Sequence, residues 1–152
     1  MPELAPGAVW RLDAPVSHRF AVLGAVAFTP EQRTADTRFA FGMTRATAGL
    51  CARAHPTRRF EFDVCAGLSL GLVHVVTFGP TPVEPGNYAW FAGQLEGRAL
   101  ARVAGPLFVD LGAALAAAFV RSDFVLAGAA PVSVFAQRPV ALAGTFAVGF
   151  EI

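Results

Sequence analysis

Residues 60–78, FEFDVCAGLSLGLVHVVTF, sort by parity into two kinds of position. Phe60, Phe62, Val64, Ala66, Leu68, Leu70, Leu72, His74, Val76 and Phe78 are even. Glu61, Asp63, Cys65, Gly67, Ser69, Gly71, Val73, Val75 and Thr77 are odd. Strand side chains alternate between faces, so a strand here has one apolar face and one acidic, small or hydroxylated face. Wound as a helix, the same stretch scatters Glu61, Asp63, Gly67 and Gly71 around the cylinder, and each interior Gly costs about 1 kcal/mol relative to Ala. The pattern predicts a strand.

The same alternation recurs. In LFVDLGAALAAAFV, Leu107, Val109, Leu111, Ala113, Leu115, Ala117 and Phe119 oppose Phe108, Asp110, Gly112, Ala114, Ala116, Ala118 and Val120. This Ala-rich stretch is the best helix candidate in the chain. However, Asp110 and Gly112 interrupt it, and it falls short of the roughly 20 clean apolar residues of a spanning helix. Toward the end of the chain, Val140, Leu142, Gly144, Phe146, Val148, Phe150 and Ile152 oppose Ala141, Ala143, Thr145, Ala147, Gly149 and Glu151. In WFAGQLEGRALARV, Phe91, Gly93, Leu95, Gly97, Ala99, Ala101 and Val103 oppose Gln94, Glu96, Arg98 and Arg102. Residues 38–54 are less regular: Phe39, Phe41 and Met43 are odd, whereas Ala46, Ala48, Leu50 and Ala52 are even. That change of phase predicts a bulge between Gly42 and Arg45.

Seven strands are expected, at about 7–13, 19–29, 38–54, 59–78, 88–103, 107–126 and 138–152. Their connections alternate. APVSH, HPT and AGP are short and turn-like; TPEQRTADT, GPTPVEPGN and AGAAPVSVFAQ are longer. Short turns at one end and long loops at the other are the rhythm of an antiparallel up-and-down transmembrane β-barrel. Composition agrees. The 152 residues are 55% hydrophobic and only 15% charged, against an ordinary charged share of about 25%. A net charge of +1 offers no basic field for nucleic acid. The chain is expected to form a single domain of 152 residues.

The segments LCARAHPTRRFEFDVCAGLSLGLVHV, GRALARVAGPLFVDLGAALAAAFVRSDFVL and ALAGTFAVGFEI resemble small outer-membrane β-barrel proteins common in myxobacterial and related proteobacterial genomes. The resemblance covers about residues 38–152. It implies an OmpA/OmpX-like or OmpW-like barrel in the outer membrane of a Gram-negative bacterium. Two departures stand out: the chain ends FEI, with Phe150 two residues from the end, and seven strands is an odd number. Single-chain bacterial barrels have even counts, so a barrel of about eight strands is expected, with its first strand and a signal peptide upstream of Met1 or, alternatively, with the eighth strand hidden in a long loop. MPELAPGAVWRLDAP itself lacks the basic and apolar regions of a secretory signal.

Candidate chemistry follows from the two faces. Arg45, Arg53, Glu61, Asp63, Glu96, Arg98, Arg102, Asp110 and Glu151 would project into one lumen. Eight strands leave room only for side chains, so these charges must pair to offset desolvation. They form either a structural salt-bridge core or a polar conduit for small solutes. Phe60, Phe62, Leu68, Leu70, Leu72, Leu111, Leu115, Phe119, Phe146 and Phe150 would face lipid. In the alternative, a soluble lipocalin-like barrel binding an apolar ligand, those residues point inward. Cys51 and Cys65 flank the turn at HPTRR and can meet across a hairpin, as a disulfide or as small core thiols. Ser69 and His74 have opposite parity and cannot act together, so no enzyme is expected. No motif for phosphate, dinucleotide or metalloprotease chemistry occurs, and the cysteine spacing offers no zinc site. No cofactor or metal is expected. The expected partners are outer-membrane lipid and a small solute or surface ligand at the long loops.

Overall fold

The structure, a computed structural model, describes residues 5–33, 39–55, 57, 59–78, 86–120, 123–126 and 132–150. Its elements are β1 (Ala8–Pro15), β2 (Phe20–Arg33), β3 (Phe39–Ala54), β4 (Phe60–Thr77), β5 (Gly86–Ala104), β6 (Leu107–Val120), β7 (Asp123–Leu126), β8 (Val132–Ala136) and β9 (Val140–Phe150). Among the described residues there is no helix. The Ala-rich stretch expected as the best helix candidate is β6. Seven strands form one sheet in the order β1-β2-β3-β4-β5-β6-β9, every pair antiparallel. Chain order equals spatial order apart from the inserted β7–β8 hairpin, so the sheet is up-and-down.

The sheet curls into a half-barrel. Arg11 of β1 forms an ion pair with Glu96 of β5, although three strands separate them in the sheet. Arg98 of β5 reaches Asp13 of β1 at 2.8 Å. Only a concave sheet brings those side chains together.

Short turns have local causes. Ser17 Oγ accepts hydrogen bonds from the backbone N–H groups of Arg19 and Phe20, and Thr57 Oγ1 accepts from those of Arg59 and Phe60. A short hydroxyl side chain thus closes both the β1–β2 and β3–β4 turns. Between β5 and β6, Gly105 takes φ 54°, a left-handed conformation that suits a residue without Cβ.

Two expectations are corrected. The expected strand 107–126 is divided: Leu107–Val120 belongs to the large sheet, whereas Asp123–Leu126 pairs as a separate two-stranded sheet with Val132–Ala136, which lies inside the stretch read as loop. Second, β3 contains no bulge at Gly42–Arg45. It keeps unbroken register with β4 from Phe39↔Thr77 to Ala54↔Phe62. The irregularity lies on β2, between Thr29 and Gln32, opposite Met43 and Phe41. Pro30 sits there and has no N–H to give to a ladder. Phe41 and Met43 therefore share the concave face with Arg45, Thr47, Cys51 and Arg53.

The two faces are sharply different. Phe60, Phe62, Leu68, Leu70, Leu72, Leu111, Leu115, Phe119, Phe146 and Phe150 are all exposed on the convex face, together with Trp10, Leu12, Leu50, Leu95 and Leu142. Asp63, Ser69, Glu96, Arg98 and Asp110 are buried on the concave one.

Candidate functional site

The concave face is built in layers. At the short-turn end, strand register sets Arg53, Asp63 and Arg98 side by side on β3, β4 and β5. Asp63 is the hub: its side chain is 0% exposed, Arg98 approaches at 3.5 Å and Arg53 at 3.6 Å. Arg53 also lies 3.6 Å from Glu61, which His55 approaches at 3.3 Å. Arg98 donates through Nε to Asp110 at 2.9 Å and through Nη1 to Asp13 at 2.8 Å. Its stem lies over Gly112, the residue paired with it on β6; a Cβ there would collide with Thr145 Oγ1. One guanidinium thus reaches three carboxylates, from β1, β4 and β6.

The next layer holds the cysteines. Cys51 and Cys65 are directly paired on β3 and β4 and are joined by a disulfide. Both are buried against Ala21 and Leu23 of β2. Arg11 lies against the sulfurs, with Nη2 3.3 Å from Cys65 Sγ and 3.6 Å from Cys51 Sγ. Its Nε donates to both Asp13 oxygens, at 2.8 and 3.0 Å, and Nη1 donates to Glu96. Arg45 lies on the same face and interacts with Glu96 through charge. The concave face therefore sets Arg11, Arg45, Arg53, Arg98 and Arg102 against Asp13, Glu61, Asp63, Glu96 and Asp110, and Arg59 joins several of them in lining one cavity.

A one-way hydrogen-bond chain follows. Gln94 Nε2 donates to Glu96 at 3.3 Å, and Gln94 Oε1 accepts from Ser69 at 2.9 Å. With its proton committed to Gln94, Ser69 accepts from Thr47 at 2.7 Å. Beyond this chain the interior becomes apolar: Val73, Trp90, Ala92 and Ala116 pack with Phe41, Met43 and Ala118. Trp90 is paired with Gly71, whose missing Cβ keeps space beside Arg45.

On the convex face one polar trio stands apart. His74 Nδ1 is 2.8 Å from Asn87 Oδ1, and its Nε2 is 2.8 Å from Thr44 Oγ1. A neutral ring satisfies both contacts, donating from Nδ1 and accepting at Nε2. Ser69 and His74 lie on opposite faces, as parity requires.

Of the expected lumen residues, Arg45, Arg53, Glu61, Asp63, Glu96, Arg98 and Asp110 share this interior. Arg102 is on the same parity at the exposed short-turn mouth, and Glu151 lies outside the described residues. Sequence reasoning missed Arg11 and Asp13. Their signal was the short alternation in WRLD, where Trp10 and Leu12 take the other face. Among the described residues no group of His, Cys, Asp and Glu could hold a metal ion.

The disulfide closes a short segment, 14 residues apart in sequence. Replacing both cysteines by serine is expected to cost about 3 kcal/mol of chain-entropy stabilisation. Urea unfolding, run beside the parent protein, measures it. An unchanged midpoint would remove the bond from the list of stabilising elements.

Comparisons of the chain with protein-family models, with curated proteins and with solved structures return no match.

Proposed function

We propose that this chain is an outer-membrane β-barrel of the small OmpA/OmpX-like or OmpW-like kind. It acts as a lipid-embedded scaffold with a filled interior and presents its long connections and the β7–β8 hairpin on one side. The observation that carries the reading is the inversion of its faces: charges are concave and buried, large apolar residues convex and exposed. A soluble monomer rarely exposes an apolar patch beyond a few hundred Å². The soluble lipocalin-like alternative needs the opposite orientation, with the apolar face inward.

The dimensions also suit a bilayer. From Phe62 to Leu72 the convex positions of β4 are uninterruptedly apolar or Ala. Ten residues span about 33 Å of strand, or about 25 Å of height at a tilt of about 40°. Phe60 and Phe62 lie at one end of that band; the Thr44–His74–Asn87 trio lies at the other, where a polar cluster meets headgroups. The cross-linked ion pairs and the apolar cluster around Trp90 favour an anchor or presenting element over a pore.

The two tryptophans test this. Trp10 is convex and 65% exposed, whereas Trp90 is concave and 4% exposed. In vesicles of brominated phosphatidylcholine, Trp90→Phe, which keeps Trp10, is expected to lose most of its fluorescence, while Trp10→Phe keeps most of it. The same preparation is expected to carry no resolvable current across a planar bilayer. Equal quenching of the two variants, or a monodisperse protein in plain buffer, overturns the membrane reading.

A further inference from the structure

We propose that the concave face holds a phosphate group at its short-turn mouth, taken from a free phosphate ester or from a lipid headgroup. The site is a cavity of about 600 Å³. Among the described residues, five arginines line it against the three carboxylates of Asp13, Glu61 and Asp110. Arg11, Arg53 and Arg98 are cross-linked to carboxylates of β1, β4, β5 and β6. Arg59 and Arg102 add two more guanidiniums at the open end. Arg59 is exposed and takes part in no ion pair among the described residues. Counting Asp63 and Glu96 behind the wall, and Arg45 beside Glu96, still leaves six guanidiniums for five carboxylates in this network.

Register concentrates the surplus. Arg102 donates its backbone N–H to the carbonyl oxygen of Arg59 at 2.9 Å, one step beyond the ladder pair Phe60↔Ala101. The two arginines therefore stand opposite each other on neighbouring strands. Arg59 has the parity of Glu61, and Arg102 that of Arg98, so both belong to the concave face. Like charges in that position destabilise a sheet, and an anion between them removes the repulsion. A carboxylate offers two oxygens, which one guanidinium fork already fills. A phosphate carries its oxygens around a tetrahedron and can accept from two forks at once. A phosphate monoester also brings a charge of about −1.5 to −2 at neutral pH, which answers the excess on the cavity wall. Val9, Leu12, Val148 and Phe150 line the same cavity. They give the hydrocarbon part of an ester an apolar surface to lie on.

The test is titration calorimetry of the whole chain at about pH 8, where phosphate is doubly charged. The probes are inorganic phosphate, short-chain dihexanoyl phosphatidic acid, and acetate at equal ionic strength. One phosphate per chain is expected, with acetate far weaker. Arg59→Gln is expected to bind phosphate about tenfold more weakly, the worth of one hydrogen bond to a charged group. Because Arg59 is exposed and outside the ion pairs, that change leaves the interior intact. Arg19→Gln removes the same charge from an exposed position at the same end of the sheet, outside the cavity wall. Its effect is expected to stay below about twofold, since a distant exposed charge is screened. Equal losses from the two variants, or phosphate binding no tighter than acetate, overturn the site and leave only a diffuse basic rim. Tighter binding of phosphatidic acid than of inorganic phosphate supports the site with a headgroup as its source; equal or weaker binding supports it with a free ester. The inorganic-phosphate titration needs no bilayer, so its failure is separate from failure of the membrane reading.

Discussion

Replacing Arg98 by methionine is expected to destabilise the protein by about 3–5 kcal/mol, the range for breaking a buried ion pair from one side. Arg98 contacts Asp13, Asp63 and Asp110. After its removal Asp13 keeps Arg11 and Asp63 keeps Arg53. Asp110 has no other ion-pair partner among the described residues and is left as a buried carboxylate. The cost is therefore mostly that of one orphaned charge. Removing the charge should recover most of the loss, so Arg98→Met with Asp110→Leu is expected to lie within about 1–2 kcal/mol of the parent, because apolar replacement of a whole pair is often close to neutral. Urea unfolding in micelles, with all four proteins of the cycle, gives the coupling directly. A single-variant loss below about 1 kcal/mol, the worth of a solvated pair, would mean that the interior is wet and that a conduit is the better description.

Much of this arrangement is legible in the sequence because strand periodicity is strict. The parity of residues 60–76 places each of these β4 side chains on its observed face. Cys51 and Cys65 can be paired across the HPT turn by counting alone. What is not legible has identifiable causes. Phe41 and Met43 look out of phase with Ala46, Ala48 and Leu50 because the concave face was expected to be polar throughout. It changes instead from charges at the short turns to an apolar cluster around Trp90 near the long loops. Apolar residues on both faces erase the alternation there, and the erasure imitates a bulge. Arg11 and Asp13 were missed for a different reason: β1 is only eight residues long, too short for two charges to declare a face. Their partners, Glu96 and Arg98, lie 85 residues away in sequence, a distance that no local pattern reports. β8 is likewise a run of only five residues, inside a Gly- and Pro-containing stretch that reads as loop.

The face assignment itself leads to the second large effect. Leu68→Arg is expected to destabilise the bilayer-embedded protein by about 2–4 kcal/mol, whereas Phe60→Arg is expected to cost about 0–1 kcal/mol. Both residues are convex, and Leu68 is 54% exposed, so neither change opens a cavity in the folded interior. The two differ in height. Phe60 begins β4 at the short-turn end, while Leu68 lies midway between Phe60 and the His74 trio. Its partners across the strands are Ala48 and Gly93, which offer a guanidinium nothing to pair with. In lipid the cost therefore follows depth, since Arg at the midplane must leave water and Arg at the edge can snorkel to it. In water the same substitutions are surface changes, each within about 0.5 kcal/mol. Unfolding in phosphatidylcholine vesicles measures the pair. A Leu68→Arg cost well above that of Phe60→Arg matches a convex face in hydrocarbon. Equal, small effects would place that face in water and turn the reading to a soluble barrel.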